Sequence, residues 1–411
     1  MSEDKVRVLY VCGGRSFRSG NPPRKIEKVV DCWRRKGYEI LHVCGADLGS
    51  GVGGMTTEYG AQEHHDRWYR GVRIGRPLVT TLSEWRDVCH DAALVTDLRD
   101  RCAGWTPDLI WERSSRLHCA GMILARELRV PYVLEWKDHL VDYQFSLFRR
   151  KALRLEKRKI SDADFVVVES GVLKHQLANE GADPGRTIVA HNAVDPTEFT
   201  RDSAARTAVR REIEVVDDAV LVGYLGSYAF YHDARRLVLA ADLVRSRLGS
   251  RRVRFLMVGA GKEYRECRKL AEKTGLIDGA LTMMPGVPKG EVPGILAALD
   301  IAILPGSTDI ICPIKIQEYM ACGLPTVAPD YPCNREVIDN QRTGVLFEPR
   351  NEAALSAAIC ELADDARKRE MIGCEARQEI EDRFTWGKTW GAALEFVVEK
   401  GVETRPKLER A

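Results

Sequence analysis

The sequence predicts an α/β protein built from two doubly wound domains, each a parallel sheet with helices on both faces. Two observations carry this. Apolar runs of strand length alternate with amphipathic stretches of helix length almost throughout, the pattern of strands buried on both faces between crossover helices. The alternation extends over 411 residues, more than one core usually holds, and its main break is the polar, turn-rich AVDPTEFTRDSAARTAVRREI.

In the first half, strands are expected at VRVLYV (6–11), EILHVC (39–44), DLIWER (108–113), YVLEW (132–136), DFVVVES (164–170) and TIVAHN (187–192). Between them KIEKVVDCWRRK, CAGMILARELR and GVLKHQLANEG read as helices. The second half repeats the alternation with AVLVGYLG (219–226), RFLMVGAG (254–261), ALTMMPGV (280–287), IAILPGS (301–307) and PTVAPD (325–330). Domains are therefore expected at 1–200 and 201–385, with a helix over 386–405 that crosses back to cover the first domain.

Lys plus Arg number 62 against 60 Asp plus Glu, a balance that gives no reason to expect nucleic acid as a partner. The 12 cysteines show no C-x-x-C spacing and read as free buried thiols, so a reducing, cytoplasmic location is expected. The start, MSEDKVRVLYVC, lacks the basic segment and long apolar core of a signal peptide. No run approaches the ~20 apolar residues that span a bilayer.

One stretch is denser in information, CPIKIQEYMACGLPTVAPD at 312–330. Proline just inside the start, and glycine then proline past the end, punctuate a short helix over about Pro313 to Cys322. Lys315 and Glu318 lie one turn apart at its head. A helical ion pair and a site for a phosphate-bearing ligand at the helix N-terminus are both consistent with that.

Together with VPKGEVPGILAALDIAILPGS before it and NREVIDNQRTGVLFEPRN after it, this stretch resembles the donor-binding half of retaining GT-B glycosyltransferases, in particular glycosyltransferase family 4. DLIWERSS, VPYVLEW, DADFVVVESGVLKHQL and HNAVD resemble the family's first half more loosely, and residues 45–105 only weakly. The resemblance implies two Rossmann-like domains facing a cleft. It implies a nucleotide-sugar donor as substrate, no cofactor and no metal.

Carried onto this chain, the resemblance implies that Glu318 accepts both ribose hydroxyls and that Lys315 charges the diphosphate site, helped by the helix-head segment with Ile311, Cys312 and Ile314. Gly226 and Ser227 form a glycine turn after a strand, where backbone can approach a phosphate closely. Many relatives place an arginine after that glycine and a lysine about five later; here Ser227 and His232 stand, and Lys315, Lys289 and Arg235 are candidates to supply the charge. Ile310 replaces a second glutamate common in the family. Gly259, Gly286 and Val287 lie in the other strand-end loops, the last two beside the base by resemblance. GAGK is not a P-loop, since it lacks the earlier glycine and the following Ser or Thr.

In the first half, Gly13, Gly14 and Arg15 end the first strand in a loop that could reach the diphosphate or the acceptor. Lys137 and Asp138 occupy the place of a family residue at the sugar's reacting face, with His139 beside them. Asp162 and Asp164 have the spacing of a metal-binding pair but stand at a strand's beginning, away from the ligand edge, so no metal site is read there. FSLFRRKALRLEKRK forms a basic amphipathic helix with Phe145, Phe148, Ala152 and Leu155 on one face, open to a solvated role or to weak peripheral membrane contact.

The leading expectation is a metal-independent retaining glycosyltransferase with a small-molecule or lipid-linked acceptor; a homodimer is left open. His64, His65, Trp68, Tyr69 and Arg70 fall in the weakly matching acceptor region. An epimerase would need an acid and a base, for which Glu112, Asp138 and His232 are the candidates. A third reading is a binding protein that has lost its chemistry.

Overall fold

A computed structural model of the chain describes residues 5–15, 24–48, 76–137, 146–216, 218–277 and 279–402. The described chain divides into two compact units, residues 1–190 with 389–411 and residues 191–388.

The first unit holds β1 (Arg7–Cys12), β2 (Glu39–Cys44), β3 (Leu109–Arg113), β4 (Tyr132–Glu135), β5 (Phe165–Val168) and β6 (Thr187–Val189) in one parallel sheet, order β2-β1-β3-β4-β5-β6. β1, β3, β4 and β5 are buried along almost their whole length, which is why they read as continuous apolar runs rather than alternating ones. On one face Trp33 and Trp111 pack edge to face, 4.8 Å between centroids, and Trp33 Nε1 donates to the Trp390 carbonyl. The C-terminal segment thus packs on this sheet, but not as one regular helix. Gly387–Gly391 and Val398–Val402 are wound as π-helix on either side of an α-helical Ala392–Val397. The helix Arg76–Cys102, 27 residues long, is the largest element without a counterpart in the sequence reading; its polar exposed face gives little periodic contrast.

The second unit holds β7 (Val220–Leu225), β8 (Val253–Val258), β9 (Leu281–Met284), β10 (Ile301–Ile303), β11 (Thr326–Pro329) and β12 (Val345–Phe347), again all parallel, in the order β12-β11-β10-β7-β8-β9. Strand order reverses between β7 and β10. In doubly wound sheets ligands bind outside the carboxyl ends of the strands at such a reversal. β12 is a short edge strand inside the Gly-x-Leu-Phe-x-Pro motif, too short to stand out as a run of its own.

The division falls between Ala190 and His191, ahead of the 200/201 boundary drawn from turn residues. The HNAVD segment packs into the second unit: Val194 bridges Thr385 and its amide donates to the Phe384 carbonyl, while Asn192 binds the loop before the helix Ile314–Ala321. Turn composition marks where the chain leaves regular structure, whereas the division follows which core the segment joins.

Candidate functional site

The candidate site of the second unit is built at the reversal point from β7, β10 and the helix Ile314–Ala321. That helix begins one residue after Pro313, its N-cap, whose side chain makes no hydrogen bond to the first turn. Tyr319 on its inner side donates from its hydroxyl to the Leu225 carbonyl at 2.9 Å and accepts from the Leu225 amide at 3.0 Å. This reciprocal pair fixes the helix against the last residue of β7. Behind the helix Gln317 is fully buried, its amide donating to the Asn192 carbonyl at 2.7 Å, while Asn192 Nδ2 donates to the Cys312 carbonyl at 3.1 Å. Asn192 and Gln317 were absent from the sequence reading. The HNAVD motif drew attention to the segment, but no local signal says that its asparagine holds a loop 120 residues away.

After β7 the chain turns through Gly226 and Ser227. Tyr224 donates from its hydroxyl to the Ser227 carbonyl at 2.7 Å, and the Gly226 amide donates to the Val258 carbonyl at 3.0 Å. A Cβ on Gly226 would stand 2.5 Å from Lys315 Nζ and 2.9 Å from the Tyr224 hydroxyl. Gly259 has φ +153°, and a Cβ there would overlap the Gly226 carbonyl oxygen, so the two strand-end loops interlock through atoms that only glycines leave room for. Gly286 meets Ala260 at an ordinary 3.9 Å, so a glycine is not sterically required there, and Val287 is half-buried against the core of the unit.

Lys315 and His232 face each other, with Nζ 2.9 Å from Nε2. His232 closes the short 3-10 turn Phe230–His232 and is buried, and its Nδ1 lies 3.4 Å from the Gly306 carbonyl in the loop after β10. A neutral ring protonated at Nδ1 satisfies both contacts: Nδ1–H donates to Gly306 and the Nε2 lone pair accepts from the ammonium. The electrostatics agree. Burial and the neighbouring Lys315 charge lower His232 to about 4, with the Gly306 carbonyl opposing. Burial lowers Lys315 to about 8 against the counter-effect of Glu318, one turn on. A half-buried cation therefore sits beside a glycine turn at the sheet's reversal point, against a buried imidazole. Lys289 and Arg235, the other candidate cations, are exposed.

At the carboxyl ends of β3, β4 and β5 the first unit places a buried charge network. Glu135 pairs with Arg113 at 2.6 Å and accepts from the Tyr10 hydroxyl at 2.6 Å. Glu169 pairs with Lys25 at 2.5 Å and with Lys137 at 3.1 Å, and its carboxyl is held well below the usual range by the two ammonium groups despite its burial. Burial lowers Lys25 to about 7, with Glu169 opposing. Lys137 is thus an ion-pair member in the resting structure. Asp138 and His139, like His64, His65, Trp68, Tyr69, Arg70 and Phe145, lie outside the described residues.

Gly13 packs against His118, 3.1 Å from where its Cβ would be, and Gly14 follows it at the end of β1. Arg15 turns to Asp87 and to the Ser83 carbonyl on the helix Arg76–Cys102. Glu112 does not present itself at its strand end. Buried, it accepts from the Gly121 and Met122 amides and the Tyr132 hydroxyl, capping the helix Ala120–Leu128 together with Asp91. Asp164 accepts from the Tyr132 amide and Asp162 pairs with Arg126 and Arg158.

The basic helix is Arg149–Asp162, and its inner stripe is Ala152, Glu156 and Lys159. Trp136 donates to Glu156 at 3.0 Å and Lys159 donates to the Ser115 carbonyl at 3.2 Å, so polar contacts replace part of the apolar face that spacing suggests. No helix among the described residues is long and apolar enough to cross a membrane.

A family model described as "Glycosyl transferases group 1" matches residues 219–365, and one described as "Glycosyl transferase 4-like domain" matches residues 22–193. The chain is 27% identical to a GDP-mannose-dependent alpha-mannosyltransferase of Mycolicibacterium smegmatis over 93% of this chain and 94% of that protein. To a D-inositol 3-phosphate glycosyltransferase of Geodermatophilus obscurus it is 30% identical over 57% of this chain, and the match spans 52% of the relative's length. Among solved structures, a glycosyltransferase from Rickettsia africae superimposes with a TM-score of 0.71 at 17% identity, covering 98% of this chain and all of the other.

Proposed function

Because the chain belongs to the glycosyl transferases group 1 family and has the GT-B fold of two Rossmann-like units, we propose that it transfers a sugar from a nucleoside-diphosphate donor to an acceptor hydroxyl with retention of anomeric configuration. One observation carries the site assignment: Lys315 and His232 meet beside the Gly226 turn at the reversal point of the second sheet. In the proposed complex the diphosphate enters there. Lys315, the protonated His232 and the first turn of the helix Ile314–Ala321 oppose the charge that grows on the leaving phosphate.

The acceptor oxygen forms its bond to the anomeric carbon on the face from which the phosphate departs. As the carbon–oxygen bond to phosphate breaks, the departing phosphate oxygen takes the acceptor proton. The charge stabilisation in this reading comes from a lysine, an imidazolium and backbone amides, so it needs no divalent metal at the donor site. Glu318, one turn along the helix, is assigned to the ribose hydroxyls.

The full-length similarity to a GDP-mannose-dependent enzyme makes GDP-mannose the first donor to test. The ion-paired groups Lys25, Lys137, Arg113, Glu135 and Glu169 at the strand ends of the first unit make a polar surrounding, which favours a polar acceptor over an apolar one. The epimerase reading loses Glu112, whose carboxylate caps a helix. The test is incubation with labelled GDP-mannose, UDP-glucose and other nucleotide sugars, without added divalent cation, against inositol phosphate and lipid-linked acceptors. Transfer with an α-linked product by proton NMR supports the reading. Nucleotide binding without transfer to any acceptor would favour a binding protein, and an inverted product would overturn the mechanism.

A further inference from the structure

β1 and β2 pair in register so that Cys12 stands directly opposite Cys44, and His42 precedes Cys44 by two residues. Side chains two apart on a strand share a face, so the three side chains converge on one side of the sheet. Both thiols are fully buried, and Cys44 Sγ lies 3.3 Å from His42 Nε2. The donor atoms of Cys12, His42 and Cys44 all lie within 4.8 Å of one another, the one such group of three among the described residues. We propose that Cys12, Cys44 and His42 bind a single zinc ion that clips the ends of β1 and β2 together.

Three arguments favour a soft divalent ion over plain core packing. Thiolate and imidazole are the ligand types zinc takes, whereas oxygen-seeking calcium or magnesium would find no carboxylate in this group. A tetrahedral zinc, with these three donors and a water in its fourth position, stands about 2.3 Å from sulfur and sets its donors roughly 3.4–3.8 Å apart, so the observed spread needs adjustment of only about 1 Å. The charges also balance: two thiolates, one neutral imidazole and a divalent cation sum to zero, so the cluster tolerates burial that a pair of bare thiolates would not.

The donors come from paired strands rather than loops, a rigid support for a metal shell. The turns that follow are tightly packed, since a Cβ on Gly45 would stand 2.8 Å from the Gly14 carbonyl. Zinc there would brace the loop carrying Gly13 and Gly14. Its role is to hold the strand ends, separate from the metal-free donor chemistry proposed above.

The test uses the full chain expressed in zinc-containing medium under reducing conditions. Zinc content after desalting is expected at about one per chain, and cobalt substitution is expected to give thiolate-to-metal charge transfer with intense visible bands of a tetrahedral site. The double variant Cys12→Ser with Cys44→Ser should lose at least about nine-tenths of the zinc and the cobalt spectrum, while Cys360→Ala, a buried cysteine elsewhere, should keep both. Should the double variant fail to fold, thiol titration of the wild type decides: a chelator should open Cys12 and Cys44 to alkylation, and reactivity that the chelator leaves unchanged would overturn the assignment. Wild type with less than about one zinc in ten chains, zinc retained by a folded double variant, or a Cys12–Cys44 disulfide in protein isolated without reductant would each overturn the assignment.

Discussion

Lys315 and His232 form a contact between two bases, and its protonation decides how donor binding depends on pH. In the free protein His232 is lowered to about 4 by burial and by the Lys315 charge, so it is neutral at physiological pH. A bound diphosphate brings negative charge to the same place and raises the histidine pKa. Binding therefore takes up a proton. The histidine makes affinity strengthen as pH falls through the window between its raised value and about 4, the direction in which the complex holds more protons than the free protein, and Lys315 adds a separate fall in affinity above about 8, where the free lysine loses its proton. Calorimetry of nucleoside diphosphate binding in two buffers of different ionisation enthalpy, at a pH well below the Lys315 value of about 8, reads the uptake, and His232→Gln should lower it. Glu318→Gln should weaken nucleotide binding by about 1.5–3 kcal/mol, the worth of hydrogen bonds to a charged acceptor. Unchanged affinity in that variant would remove Glu318 from the ribose.

The interlocked strand-end loops make two glycine substitutions separable at the scale of the element. In Gly226→Ala the new methyl meets the flexible end of Lys315, which can swing aside, and the Tyr224 hydroxyl, which must shift slightly, so the loss of stability should be smaller than in Gly259→Ala while the ammonium is displaced by about 1 Å. Misplacement of that size costs roughly 100-fold in rate. Gly259→Ala instead meets the Gly226 carbonyl, in a backbone conformation that side chains avoid. It should lower stability by about 1–3 kcal/mol. Urea denaturation beside initial rates distinguishes the two, and equal loss of stability in both would refute the account of Lys315 as the yielding partner. The helix Ile314–Ala321 reached its position through Tyr319 and Gln317 rather than through its two charged residues. Its ends were readable from proline and glycine. The partners of its tyrosine and glutamine were not, because those contacts span more than ninety residues of sequence.

At the scale of the whole molecule the open surface question is the helix Arg149–Asp162. Its inner stripe is tied down by Glu156 and Lys159, and Arg149, Arg150, Lys151, Arg154, Lys157 and Arg158 are exposed. With polar groups on the buried side, the helix lacks the broad apolar face that inserts into a membrane interface. We expect no co-sedimentation with phosphatidylserine vesicles at physiological salt, and a change in stability within about 0.5 kcal/mol when Arg149, Arg150 and Lys151 become glutamine. Binding that the triple change weakens by about 1 kcal/mol per charge would restore the membrane reading.

Strand periodicity, helix punctuation and the Pro-x-Lys-x-x-Glu-Tyr pattern sufficed for the α/β class, two sheets, most strand positions and the helix that carries Lys315 and Glu318. These are local properties: a buried parallel strand is apolar throughout, and proline and glycine act on the backbone at their own positions. What folding alone decided was pairing. Cys12 and Cys44 are separated by 32 positions and carry no recognisable spacing, yet the register of β1 and β2 sets them face to face. His232 meets Lys315 across 83 positions because β7 and β10 are neighbours at the reversal of the sheet. Glu112 reads as a strand-end carboxylate and becomes a helix cap, since the next helix returns its amides to it. Which titratable groups end up sharing a site follows from strand order and register, and those are properties of the assembled sheet rather than of any segment within it.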